Sequence, residues 1–174
     1  MITLTTERLR LVPPSLDYAD DVFEYAADAV FCRYIDAEPA RSVDAAVGYL
    51  EALMHANEKK RRLYWLVIFE GHCVGSLGFN FLYNTRHRTQ DFGYGLAPRV
   101  WGKGVFSEAA QSVVKFGFGE LGLDRIQATT RSDNTHSVNA LLRLGFVLEG
   151  TLARFYETSN GRADCAVLAL FNDL

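Results

Sequence analysis

Two hydrophobic periods take turns along the chain. Leu9 and Leu11 alternate with Arg8 and Arg10, a period of two that predicts a short strand. Pro13-Pro14 ends it, because proline has no N–H to give to a ladder. Ser15 is then a candidate helix N-cap, with Ala19, Val22, Phe23, Ala26 and Val30 at helical spacing behind it. A second helix is predicted from Ser42, with Val43, Ala46, Val47, Leu50, Leu53 and Met54 on one face. The pattern then becomes aromatic and β-branched. Leu63 to Phe69 and Val74 to Tyr83 read as strands around the turn Glu70-Gly71-His72. Arg86-His87-Arg88 marks the next turn and Gln90 to Leu96 a third strand, so the three form an antiparallel meander. Pro98 closes that strand, and a loop from Arg99 to Gly104 leads into a helix with Phe106, Ala109, Ala110, Val113 and Phe116 facing inward. Gly122 ends the helical region and Arg125 to Thr130 reads as a strand. Asn134 to Leu144 is a short helix stopped by Gly145, and two closing strands from Phe146 onward flank the turn Ser159-Asn160-Gly161. This order predicts an α+β fold in which a mixed, mostly antiparallel sheet of about seven strands is flanked by about four helices. With no repeat, linker or low-complexity run, one domain over residues 1–174 is expected.

Composition adds few constraints. Hydrophobic residues make up 49% and charged residues 22%, enough for a packed core without a metal or disulfide staple. Cys32, Cys73 and Cys165 are scattered, which suits small buried side chains and neither a disulfide framework nor a zinc site; no metal is expected. Thr5-Thr6-Glu7-Arg8 interrupts any apolar run at the start, and no stretch approaches the ~20 apolar residues of a membrane span. A cytoplasmic protein without a membrane or nucleic-acid partner is therefore expected, the net charge of −3 arguing against the basic face that nucleic acid needs.

The most informative segment is Leu96-Ala97-Pro98-Arg99-Val100-Trp101-Gly102-Lys103-Gly104, which joins a strand to a helix. Its glycines allow a ligand close to the backbone. The free N–H groups and dipole of the following helix turn favour an anion there. The spacing is neither a Walker loop nor a dinucleotide fingerprint. From the residues alone, a phosphate site and a plain glycine-containing loop at a helix start both remain open.

A resemblance narrows the choice. Arg99-x-x-Gly102-x-Gly104 resembles the coenzyme A pyrophosphate loop of the GNAT acetyltransferases. The wider stretch from Gly93-Tyr94 through Trp101-Gly102-Lys103-Gly104 to Ser107-Glu108 is similar to the RimJ/RimL branch, which acetylates protein N-termini. Thr6 to Leu11, Asn134-x-x-Ser137 with Leu144-Gly145-Phe146, and Glu149-Gly150 with Asn160-Gly161 and Asp164 resemble further parts of that branch in the same order. The resemblance implies a splayed sheet that takes the pantetheine arm of acetyl-coenzyme A between the third meander strand and the strand after the helix. It implies a pyrophosphate held by backbone N–H groups from Val100 through Trp101, Gly102, Lys103 and Gly104 to Val105. Leu96 and its strand would bind the pantetheine amides and the acetyl carbonyl, and Asn134 would hydrogen-bond the arm. Arg99 and Lys103 could serve the phosphates or simply be solvated.

Acetyl transfer to a primary amine needs a neutral amine at the thioester carbon, donors for the oxyanion, and a hydrogen bond or proton for the departing thiolate. Ser137 stands where the family places a residue near the cofactor sulfur; its bland alternative is a surface serine after a helix cap. Many relatives carry a tyrosine acid at the position of Leu141, which leucine cannot replace. Asp91 on the third meander strand is the candidate base, one methylene shorter than the glutamate often found there, and alternatively a structural hydrogen-bond acceptor. Glu157, Tyr156 and Asp164 are rivals, and no histidine is assigned. The expected acceptor is the α-amino group of a protein or peptide N-terminus. A small-molecule amine (polyamine, amino sugar or antibiotic) and a coenzyme A-binding module without catalysis are the alternatives. A homodimer is compatible with the sequence.

Overall fold

A computed structural model describes residues 2–35, 37–80, 87–158 and 161–172 of the chain. Its elements run β1 (Leu4–Thr5), β2 (Leu9–Val12), α1 (Ala19–Ala26), α2 (Ala29–Cys32), α3 (Val43–Glu58), β3 (Arg62–Phe69), β4 (His72–Asn80), β5 (Thr89–Leu96), α4 (Val105–Gly119), β6 (Arg125–Arg131), α5 (Thr135–Arg143), β7 (Val147–Thr158) and β8 (Gly161–Phe171). The strands make one sheet in the order β1-β2-β3-β4-β5-β6-β8-β7. Every pair is antiparallel except β5 with β6. The mixed, mostly antiparallel sheet thus has eight strands rather than seven, the extra one being the two-residue β1 paired back on β2. The predicted strand ends at Tyr83, and the turn residues Arg86, Ser159 and Asn160, lie outside the described residues.

The central strands explain the continuous apolar runs in the sequence. Tyr64 to Ile68 and Cys73 to Phe79 are buried on both faces of the sheet, so alternation gives way to unbroken hydrophobicity. On one face lie α4 and α5: Phe116 of α4 meets Trp65 edge-on at 5.3 Å, and Gly117 sits where a Cβ would lie 2.7 Å from Phe79. On the other lie α1 and α3, where Tyr49 Oη and Ser76 Oγ are 2.8 Å apart and Asn57 exchanges two hydrogen bonds with the Tyr64 backbone.

The first predicted helix is divided. Ser15 caps a single 3-10 turn over Leu16–Tyr18 that runs into α1. The backbone then leaves helical geometry at Asp28, whose carboxylate accepts the N–H of Val30 and starts α2. That Asx cap overrides the periodicity that had carried the helix to Val30, and Val30 is 52% exposed. Met54, placed on the buried face of α3, also points outward at 40% exposure.

Candidate active site

The parallel pairing of β5 with β6 is short. Thr89, Gln90 and Asp91 pair with Arg125, Ile126 and Gln127, and beyond them the ladder stops. From Phe92 to Leu96, β5 pairs only with β4, while β6 continues to Arg131 on β8. The two strands therefore part into an opening in the sheet. Ala97 N–H bonds to Val74 O at 2.8 Å. By the alternation of an antiparallel ladder, this aims the N–H and C=O groups of Tyr94 and Leu96 away from β4 and into the opening. An extended, amide-bearing ligand could lie against such an edge as an added strand.

The loop after β5 sits at the mouth. Pro98 opens a 3-10 turn, and Gly102 and Gly104 take left-handed angles, φ +73° and +77°. An added Cβ at Gly102 would meet nothing within 4 Å, so conformation and not space demands glycine there. Gly104 caps α4 without a side chain, leaving the N–H groups of the first helical turn uncapped. The donors are fewer than the resemblance implied. The N–H groups of Val100, Trp101 and Lys103 already bond to Ala97, Pro98 and Val100 carbonyls within the turn. Those of Gly102, Gly104 and Val105 are the ones the loop's own backbone bonds do not use. This cluster at a helix start fits a pyrophosphate.

The flanking residues divide between ligand and scaffold. The Leu96 carbonyl accepts the Trp101 indole N–H at 2.8 Å, which fastens the half-exposed Trp101 over the strand end, its ring stacked toward His136 at 6.5 Å. Arg99 leans to Glu24 of α1 at 3.5 Å, whereas Lys103 is exposed beside the loop. Asn134 uses its Oδ1 to cap α5 through Ser137 N–H at 3.3 Å, so this oxygen is committed to the helix. Glu108, in the first turn of α4, accepts from Thr6 Oγ1 (2.6 Å), Arg8 N–H (2.8 Å) and Arg8 Nε (2.7 Å). Arg8 also reaches the Lys103 carbonyl at 3.1 Å. The β1–β2 hairpin thereby braces the loop from behind.

Asp91 and Ser137 lie on opposite faces of β5. Asp91 shares its face with Gly93 and Gly95 under α1 and α3, while Tyr94, three positions on, faces α4 and α5. Asp91 Oδ2 accepts Asn80 Nδ2 at 3.1 Å, and Asn80 Oδ1 accepts the Tyr64 phenol at 2.9 Å. Burial raises the Asp91 carboxyl above its usual value, and hydrogen bonds with Asn80 and Gln127 limit the rise. Gly93 makes room for this network, since a Cβ there would lie 2.1 Å from the Tyr64 oxygen. Of the rival bases, Glu157 is exposed beside Arg162, and Asp164 accepts the Arg154 N–H at 2.7 Å. The Tyr156 phenol, pushed up to about 12 mainly by burial, lies close enough to Asp91 to feel its charge. His72 is bonded to Asp21 at 3.1 Å, away from this cluster.

A model of the acetyltransferase (GNAT) domain matches residues 8–147. The chain belongs to the GNAT acetyltransferases. It is 34% identical over 164 residues to an uncharacterized N-acetyltransferase, p20, of Bacillus licheniformis, covering 93% of this chain and 91% of that protein. Over 88 residues it is 31% identical to the ribosomal-protein-serine acetyltransferase of Escherichia coli, about half of each chain. Among solved structures, RimL, a ribosomal L7/L12 α-N-protein acetyltransferase in complex with coenzyme A, superimposes with a TM-score of 0.89 over 99% of both chains at 18% identity. This acetyltransferase is an enzyme that takes its acetyl group from acetyl-coenzyme A and transfers it to nitrogen. Among the described residues no helix is long and apolar enough to cross a membrane. Nor do any three His, Cys, Asp or Glu side chains among them gather as a metal site, and all three cysteines are buried and free.

Two features had no distinct signal in the sequence. Asn80 and Gln127 are cross-strand neighbours of Asp91, visible only once the register is known. Tyr94, although inside the motif, gains a partner only from the fold: its phenol lies 2.6 Å from Ser137 Oγ.

Proposed function

We propose that this acetyltransferase modifies the α-amino group of a peptide or protein N-terminus, by direct attack within a ternary complex. The observation that carries the reading is the setting of Asp91. This carboxylate faces the α1/α3 side of the opening, held by two amide side chains and shielded by Tyr64. Its carboxyl is raised by burial yet restrained by those amides. A carboxylate so placed can accept a proton through water as the amine attacks, but it is a modest base for lysine. A peptide α-amine titrates at about 7.7–8.0 and a lysine side chain at about 10.4, so near pH 7.4 roughly a quarter of the former but only about 0.1% of the latter is neutral. The difference is about 3–4 kcal/mol of added work for lysine. The likeness to the ribosomal-protein-serine acetyltransferase over half the chain supports a protein acceptor.

In this arrangement the N–H groups of Gly102, Gly104 and Val105 hold the pyrophosphate. The N–H and C=O groups of Tyr94 and the N–H of Leu96 bind the amide-bearing arm, and a β5 N–H serves the thioester oxygen. The amine nitrogen bonds to the acetyl carbon from the Asp91 side, the C–S bond breaks, and the excess proton of the new amide leaves through Asp91 and water. The thiolate departs toward Ser137 on the opposite face. Arg99 leans to Glu24 of α1, and Lys103 supplies nearby positive charge. The test is a matched pair of short peptides, one with a free N-terminus and blocked lysine, the other the reverse. Faster acetylation of the first at neutral pH is expected. Faster acetylation of the lysine peptide refutes the reading, and activity on neither, with turnover on polyamines or amino sugars, transfers it to small amines.

A further inference from the structure

The hydrogen bond between Tyr94 and Ser137 crosses the opening from β5 to the first turn of α5. Geometry alone lets either hydroxyl donate. The surroundings choose. The Tyr94 ring is packed against Phe106 at 4.3 Å and Phe92 at 5.5 Å, so the apolar walls offer its proton nothing and Ser137 Oγ offers an acceptor. A phenol is also a better donor and a poorer acceptor than an aliphatic hydroxyl. Asn134 meanwhile holds the Ser137 backbone through its N–H. With Tyr94 donating, the serine proton is left to point onward. Leu141, where many relatives carry a tyrosine acid, is fully buried and supplies no proton.

We propose that Tyr94 is a positioning residue for leaving-group departure: its phenol holds the Ser137 hydroxyl so that the serine O–H is directed at the sulfur of the acyl donor. This rests on the acetyltransferase reading of the opening. The pair works by hydrogen bonding to the thiolate and not by surrendering a proton. Burial pushes the Tyr94 phenol up to about 12 against the opposing bond to Ser137, whereas an ordinary thiol titrates near ~8.5. Transfer from phenol to thiolate would run uphill, so the thiolate leaves as an anion stabilised by a donor that stays protonated at any working pH. Two hydroxyls in series also polarise one another, which strengthens the terminal O–H as a donor.

The test uses Y94F, S137A and the double variant, and its first readout needs no turnover. Coenzyme A binding is followed by calorimetry against pH, with the sulfur-free analogue desulfo-coenzyme A as control. In the wild type the affinity for coenzyme A should rise with pH through a bound thiol that titrates below its free value. In Y94F that titration should move up by about one pH unit, and S137A should move it at least as far, with binding of the sulfur-free analogue unchanged in both. In turnover, Y94F should lower kcat about tenfold at constant KM for acetyl-coenzyme A, and the double variant should be no slower than S137A alone. A bound-thiol titration in Y94F that matches the wild type, or kcat losses that multiply in the double variant, overturns the proposal. Should Y94F fold poorly, S137A alone decides: an unshifted thiol titration in it has the same force. A wild type that binds neither coenzyme A nor the sulfur-free analogue defeats the underlying cofactor site instead.

Discussion

The glycine loop gives the sharpest test of the cofactor site, because two glycines of like conformation have different neighbours. Gly102 and Gly104 both sit near φ +75°, where an L-residue costs roughly 1–2 kcal/mol. At Gly102 an added Cβ meets nothing within 4 Å, so G102A carries only that backbone cost. At Gly104 the Cβ would lie 3.3 Å from Arg8 Nη2, a group pinned by Glu108 and the Lys103 carbonyl. G104V therefore adds crowding and β-branching to the same strain. Either the loop holds its angles and the fold loses about 1–2 kcal/mol, or it relaxes and turns the N–H groups of Gly102, Gly104 and Val105 off the phosphates. In the second case the same energy appears as a rise in Kd of roughly 5- to 30-fold. Denaturant unfolding reads the first quantity and coenzyme A calorimetry the second, and the affinity loss should be larger in G104V. Gly150, with open space and no positive φ, is the control, and G150A should change neither. Variants that lose no stability against denaturant, and so have relaxed the loop, yet bind coenzyme A with wild-type affinity would refute the assignment of this loop.

Two further outcomes follow from the carboxylates. Asp91 has a folded pKa above its unfolded value, so its ionisation destabilises the native state: the penalty is absent below about pH 4 and present above the raised folded value. D91N should thus be more stable than wild type at pH 7 while losing activity, provided Gln127 turns its amide to pair with the new one, and the stability gain should vanish in acid; equal thermal midpoints at pH 7 would contradict this. Glu108 is the opposite case: burial disfavours its charge, but the hydrogen bonds from Thr6 and Arg8 win and hold its carboxyl below the usual range. E108A should cost about 1–3 kcal/mol, lowering Tm by several degrees at neutral pH. That cost should persist down to about pH 4.3 and shrink as pH falls through the lowered folded value, where wild type and variant should draw closer in a thermal scan.

The sequence by itself determined the elements and the loop. Apolar period and turn residues are local signals, so the meander, the long helices and the closing hairpin were legible without a fold. Gly102 and Gly104 were legible as a place where a ligand could come close to the backbone, whereas their left-handed angles came only with the fold. Ser137 and Asp91 were legible as candidates through the motifs that carry them. Local chemistry misled where a weaker periodic signal met a stronger cap, as at Asp28, which ends one helix and starts another before Val30, and at Met54, which periodicity placed on the buried face of α3. The tertiary structure decided which groups act on which. Asn80, Asp91 and Gln127 line up because two consecutive strands and a third from beyond α4 take one register, and a shift of one residue would send Asp91 to the opposite face. The opening exists because the parallel ladder of β5 and β6 ends after three pairs, a fact of packing that no local pattern encodes. Arg99 and Lys103 read alike in the sequence, yet α1 brings Glu24 to Arg99 and leaves Lys103 exposed. Tyr94 likewise reads as one more aromatic of a strand until α5, returning after β6, sets Ser137 2.6 Å from its phenol. Such pairings depend on the three-dimensional path of the chain, and residues 43 positions apart carry no sign of it in their own identities.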